Sequence, residues 1–144
     1  MKTIEITIYS FNELTDKAKQ KALNKYQCET EYSWEHEAFD SLEAFFKAIG
    51  VKITNFCIDW LCPSQSFIRY EGTPTGKFIP SNLTGVCFDY ELVKTWNKTK
   101  SVESSINAFL SFCQKDFECQ LSEESFADYC DANEIYFDQQ GNRI

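Results

Sequence analysis

The chain has 144 residues, the size of one ordinary domain, and its 43% hydrophobic and 25% charged content excludes a wholly disordered protein. Aromatic residues make up 16%, with 13 Phe, so the core is expected to be largely aromatic. Acids outnumber bases by 22 to 14, a net charge of -8, which argues against direct binding of nucleic acid or of an anionic membrane surface, since both need a basic face.

The pattern predicts a single α+β domain over residues 1–144, with a small, mainly antiparallel sheet packed with four to five helices. Residues 3–9 alternate, with Ile4, Ile6 and Ile8 on one face, and read as a half-buried strand. Thr15 is placed to cap a helix running to about Gln27, and Asp16 suits its N-terminal dipole. The inward side of this helix is Ala18, Ala22, Leu23 and Tyr26, and the outer side Lys17, Lys19, Lys21 and Lys25. A second helix over residues 32–49 carries a stripe of Trp34, Ala38, Leu42, Phe45, Phe46 and Ile49, and ends at Gly50. Residues 51–60 and 66–71 read as two strands of a hairpin joined through Leu61-Cys62-Pro63-Ser64. Residues 72–81 hold two glycines and two prolines and read as an exposed loop, followed by a short strand at 85–88. A helix over 90–98 turns Leu92, Val93 and Trp96 inward, and another starts at Ser101 with Val102, Ile106, Phe109, Leu110, Cys113 and Phe117 on its apolar side. Ser122 caps a short last helix, with Leu121 placed to staple onto Phe126. Asn133 is the expected left-handed stop, and residues 135–137 a final strand. No linker, repeat or low-complexity tract divides the chain.

Residue chemistry narrows the functions. The seven cysteines, Cys28, Cys57, Cys62, Cys87, Cys113, Cys119 and Cys130, are odd in number and irregularly spaced. The chain opens MKTIEITIYS, without a basic start and apolar signal core, so free thiols in the cytoplasm of a bacterial host are expected rather than disulfides. Cys57, Cys87 and Cys113 sit among apolar neighbours and read as core filler. The spacings Cys57-x4-Cys62 and Cys113-x5-Cys119 miss the short zinc-knuckle pattern, and a four-thiolate site assembled across the fold is left open. The single histidine, His36, lies between Glu35 and Glu37 with Asp40 one turn on, and reads as an exposed helix residue; as a ligand or general base it would be flanked by carboxylates. There is no His-Glu-x-x-His motif, and Gly72-Thr73-Pro74-Thr75-Gly76 lacks the lysine and strand-to-helix setting of a phosphate loop. Asp59, ending an apolar strand beside Trp60, reads as a turn cap. Neither catalytic residues nor a cofactor or metal site are predicted.

The charge is unevenly spread. Residues 51–100 hold six bases and four acids, whereas residues 101–144 hold two and nine. Two acidic blocks result. The first is Glu31, Glu35, Glu37, Asp40 and Glu43, much of it on the outer side of the second helix, and the second is Glu123, Glu124, Asp128 and Asp131. Tyr32, Trp34, Trp60 and Tyr70 are either contact anchors or core.

Two segments carry a resemblance. Ile8-Tyr9-Ser10-Phe11-Asn12-Glu13-Leu14-Thr15 with the Ala-Lys-rich helix after it, and the tail Ser122-Glu123-Glu124-Ser125-Phe126 with Ala132-Asn133-Glu134-Ile135-Tyr136-Phe137-Asp138 and Gly141, are similar to the two ends of a phage and prophage family. Its members are commonly labelled the antitoxin of a toxin-antitoxin stability system. The middle matches in order: an acidic Trp-containing helix, Ala48-Ile49-Gly50, a strand, and a Ser-Gln loop ending in Phe67. The family's glycine-aspartate-glycine stretch after Ser-Gln is missing here, where Ser64-Gln65 runs into Ser66-Phe67. The resemblance implies a phage or mobile-element origin. Together with the acidic blocks it leads to the expectation of a non-enzymatic inhibitor whose carboxylates occupy the basic surface of a host nucleic-acid-handling protein, for example a CRISPR effector. An antitoxin that neutralises a partner toxin is the alternative, and an accessory enzyme a third reading.

Overall fold

The structure is a computed structural model that describes residues 1–80 and 83–144. The described residues have an α+β fold of five helices and one two-stranded antiparallel sheet. They divide into a smaller unit, Met1–Glu31 with Cys119–Ile144, and a larger one, Tyr32–Glu118.

In the smaller unit a 3-10 turn, Phe11–Glu13, leads into helix α1, Asp16–Glu29. The Glu13 carboxylate accepts the Ser10 N–H at 2.7 Å, and this bond holds its pKa below the usual carboxylate range. Thr15 caps α1 by accepting the Ala18 N–H, as the sequence predicts. Helix α5, Glu123–Ala132, is capped in the same way by Ser122, which accepts the Ser125 N–H. Between these two helices Phe11, Ala18, Ala22, Leu23, Phe126, Cys130, Ile135 and Phe137 are buried together. Phe126 meets Phe11 edge-on at 5.0 Å and stacks on Tyr26 at 4.4 Å. Such aromatic pairs add about 0.5–1.5 kcal/mol beyond area burial. Gly141 packs so closely on α1 that a Cβ there would collide with the Ala18 carbonyl oxygen, and its φ of +89° also demands glycine.

The larger unit contains helix α2 (Glu35–Ala48), strands β1 (Lys52–Cys57) and β2 (Phe67–Glu71), helix α3 (Asp89–Thr99) and most of helix α4 (Val102–Gln120). Phe45, Phe46 and Ile49 of the α2 end, Leu92 and Trp96 of α3, and Phe109 and Cys113 of α4 are almost wholly buried, with Phe88 alongside them. Each such side chain contributes roughly 1.5–3 kcal/mol of burial. β1 and β2 pair with Lys52 opposite Glu71, Ile53 opposite Tyr70 and Asn55 opposite Arg69, so Thr54 is an extra residue in a β-bulge. Asp59 caps the connection, its carboxylate accepting the N–H groups of Leu61 and Cys62. The loop after β2 is strapped to α3: Trp96 Nε1 donates to the Lys77 carbonyl, and Asn97 bonds both the N–H and the C=O of Ile79. The end of the loop predicted over residues 72–81, Ser81, lies outside the described residues.

Several expectations need correction. Residues 3–9 form no strand; Tyr9 alone bridges to Phe137, and Ile4, Ile6 and Ile8 are exposed. The predicted strand over 135–137 shrinks to the same bridge plus one between Phe137 and Arg143. Residues 85–88 are not a strand, because the Thr84 and Gly85 N–H groups turn inward to the Asp89 carboxylate. The left-handed residue after α5 is Glu134, with φ +52°, while the Asn133 side chain donates to the Tyr129 carbonyl. Trp34, assigned to the apolar stripe, is 49% exposed at the start of α2. Of the cysteines read as filler only Cys113 is buried; Cys57, at the end of β1, and Cys87, in the turn before α3, are exposed. Cys130 is the second buried thiol.

Candidate functional site

The acidic residues divide by helix geometry. At about 100° per residue, α2 turns His36, Asp40, Glu43 and Lys47 outward, opposite Ala38, Ser41, Leu42 and Phe45. Glu35 and Glu37 fall on the two flanks. Glu35 is held by the indole of Trp60, whose Nε1 donates to its carboxylate at 2.7 Å, and one oxygen of Glu37 is buried without a hydrogen-bond partner. Asp40 lies 3.5 Å from His36 Nε2 in an exposed i,i+4 contact. Glu31 belongs to the smaller unit, and its carbonyl accepts from Gln120. The outer stripe of α2 therefore presents two carboxylates of the first block, Asp40 and Glu43, followed by Lys47.

The second block is more coherent. Glu124, Asp128 and Asp131 stand at i, i+4 and i+7 of α5, all exposed, and Glu123 is exposed beside them in the first turn. Among the described residues none of these four side chains accepts a hydrogen bond or forms an ion pair, and α5 contains no Lys or Arg. Glu123 and Glu124 are favoured by the N-terminal dipole, but Asp131 in the last turn is disfavoured by it. The i,i+4 pairing of Glu124 with Asp128 costs a further few tenths of a kcal/mol. Folding alone gives no reason for this ridge.

Beside the α2 stripe lies an apolar groove of about 460 Å³, lined by Phe39, Leu42 and Phe46 of α2 and by Val51, Ile53, Phe56, Ile58 and Ile68 of the hairpin segment. Glu43, Lys47 and Lys52 stand on its rim. The bulge at Thr54 brings Ile53 and Phe56, three residues apart, to the same face of the hairpin. Sequence reasoning missed the groove; the slip in alternation between Ile53 and Phe56 was its available signal. Among the anchor candidates Trp34 and Tyr70 are exposed, whereas Tyr32 and Trp60 are core.

Titratable groups elsewhere are structural. Asp89 is fully buried and accepts from Ser41 Oγ at 2.8 Å, from Thr84 Oγ1 at 3.0 Å and from two backbone N–H groups, so it ties α2 to the start of α3. Tyr32 donates to Asp116 at 2.5 Å, and burial raises its pKa well above the usual tyrosine value. Burial also pushes the Cys113 thiol beside it up to about 12, and Cys130 up to about 11, the opposite of what an activated nucleophile needs. Among the described residues no group of three or more His, Cys, Asp or Glu is arranged to hold a metal ion, and no helix is long and apolar enough to cross a membrane.

The described chain is thus an α+β protein that exposes a carboxylate ridge on α5 and an apolar groove beside α2. Compared with protein-family models, curated proteins and solved structures, it shows no significant match to any of them.

Proposed function

We propose that the protein is a non-catalytic inhibitor, of phage or mobile-element type, that binds the basic surface of a host nucleic-acid-handling protein such as a CRISPR effector or another defence nuclease. The observation that carries this reading is the α5 ridge: Glu124, Asp128 and Asp131 are exposed and, among the described residues, unpaired, and Asp131 is held against the helix dipole. Along the axis they follow one another at about 6 and 4.5 Å, the same order as the spacing of backbone phosphates. Such a ridge competes for a groove evolved to hold a polyanion. Asp40 and Glu43 add a second acidic patch, and the groove that Glu43 borders accepts an apolar anchor, the usual centre of an interface. The charges mainly accelerate encounter, so association slows as salt is added.

The test is a pull-down from a bacterial host, with the wild-type chain and a Glu124→Lys, Asp128→Lys, Asp131→Lys variant as baits. A nucleic-acid enzyme captured by the wild type and lost by the variant is the expected result. Equal capture by both baits contradicts the reading. Capture of a toxin encoded beside this chain's own gene supports the antitoxin alternative instead.

A further inference from the structure

Residues 1–8 are patterned as a strand and have no partner. Ile4, Ile6 and Ile8 are 80%, 69% and 48% exposed, and no residue of this segment makes a hydrogen bond or ion pair with the rest of the described chain. The ladder begins only at Tyr9, whose N–H donates to the Phe137 carbonyl at 2.9 Å and whose carbonyl accepts the Phe137 N–H at 2.8 Å. Phe137 pairs with Arg143 on its other side, so the Tyr9 segment is the outer edge of this small ladder. Continued antiparallel, the pairing would set Thr7 opposite Gln139. The chain turns back there instead, with the Asp138 carboxylate accepting the N–H groups of Gln140 and Asn142. That turn is why the predicted strand loses its inner partner.

We propose that residues 3–8 are a self-association strand that pairs antiparallel with the same segment of a second copy of this chain across a two-fold axis centred on Ile6. Backbone parity restricts the register, and side-chain pairing then selects it. Successive residues of a strand direct their N–H and C=O groups to opposite edges. Tyr9 spends its pair on Phe137, so Thr7, Glu5 and Thr3 face that inner edge, and Ile4, Ile6 and Ile8 face the open one. Centring on Ile6 uses only the open edge. It sets Ile6 against its own counterpart and Ile4 against Ile8 of the partner subunit, giving three isoleucine pairs on one face. The charges agree: Glu5 meets Thr7 and Lys2 meets Ser10, with no like charges opposed. Centring on Glu5, with the same open edge bonded, would oppose two glutamates and set Ile8 against Lys2 instead of an isoleucine. The paired segments join the two Tyr9–Phe137–Arg143 ladders into one sheet, and the exposed edge that invites uncontrolled pairing disappears.

Sedimentation velocity of the full chain over a wide concentration range tests this. The wild type is expected to dimerise reversibly. Ile6→Pro, which removes the N–H at the centre, and Ile6→Lys, which opposes two ammonium groups, should both be monomeric with unchanged helical circular dichroism. Thr7→Lys, facing Glu5 of the partner subunit, should tighten the dimer by about tenfold, and Thr7→Glu should loosen it by a similar factor. A wild type that stays monomeric throughout, or a dimer that survives Ile6→Pro, overturns the proposal.

Discussion

Asp89 shows how much of this fold rests on one side chain. Its carboxylate gathers Ser41, Thr84 and Gly85 at zero exposure, so removing it strands a buried hydroxyl and two amides. Asp89→Ala should cost about 3 kcal/mol, and Asp89→Asn less, in urea unfolding followed by circular dichroism. The thiols give a second residue-scale expectation. Alkylation read by mass spectrometry should modify Cys28, Cys57, Cys87 and Cys119 quickly in the native protein, and Cys113 and Cys130 only on unfolding. The two buried thiols are also acids with raised pKa values, so the folded state holds their protons more tightly. Stability from this source is complete below the unfolded thiol value and falls as pH rises from there toward 11–12. Of this, only the burial of Cys113 on the apolar stripe of α4 was legible from local sequence. Asp89 follows an apolar run and reads like any first-turn acid, and Cys57 and Cys87 have apolar neighbours in sequence but lie on a strand end and a turn.

The helices were the most readable elements, because periodicity and caps are local. Thr15 and Ser122 cap as expected, and the stripes of α2 and α4 bury Phe45, Phe46, Phe109 and Phe117 as predicted, though not Trp34. The strands were less readable, since pairing depends on what lies opposite. Residues 3–9 alternate well, yet their inner edge faces a chain that turns away, and at the start of residues 85–88 the Thr84 and Gly85 amides are spent on the Asp89 carboxylate. The groove was hidden for a related reason: a bulge, marked in the sequence only by a slip in alternation, aligns Ile53 with Phe56. The acidic block on the second helix was legible in number but not in direction, since Glu35 bonds Trp60 and Glu37 turns one oxygen inward. At this scale α5 makes its own prediction. If its ridge is kept for binding, then Asp131→Lys, which places a cation at the negative end of the helix, should raise stability by about 0.5 kcal/mol in thermal or urea unfolding while weakening partner binding. Loss of stability would show that the carboxylate supports the fold.

For the whole molecule, the net charge of -8 turns out to be concentrated. The smaller unit holds eleven acids against six bases, and the larger unit eleven against eight, although the larger has half as many residues again. Within the smaller unit four of the six bases stand on α1 and four of the eleven acids on α5, which carries no base, so α5 presents a defined anionic ridge. A field of that kind steers association with a cationic partner and repels free nucleic acid, which fits a protein that occupies a nucleic-acid site without being a nucleic-acid binder. The most direct measurement is inhibition of target-DNA cleavage by host defence nucleases, CRISPR effectors first, titrated with the wild-type chain and with a variant carrying Glu124→Lys, Asp128→Lys and Asp131→Lys together with Asp40→Lys and Glu43→Lys. The account predicts wild-type inhibition that weakens with added salt and is abolished in the variant, whose fold is unchanged by circular dichroism. Inhibition of equal strength by the two proteins would contradict it.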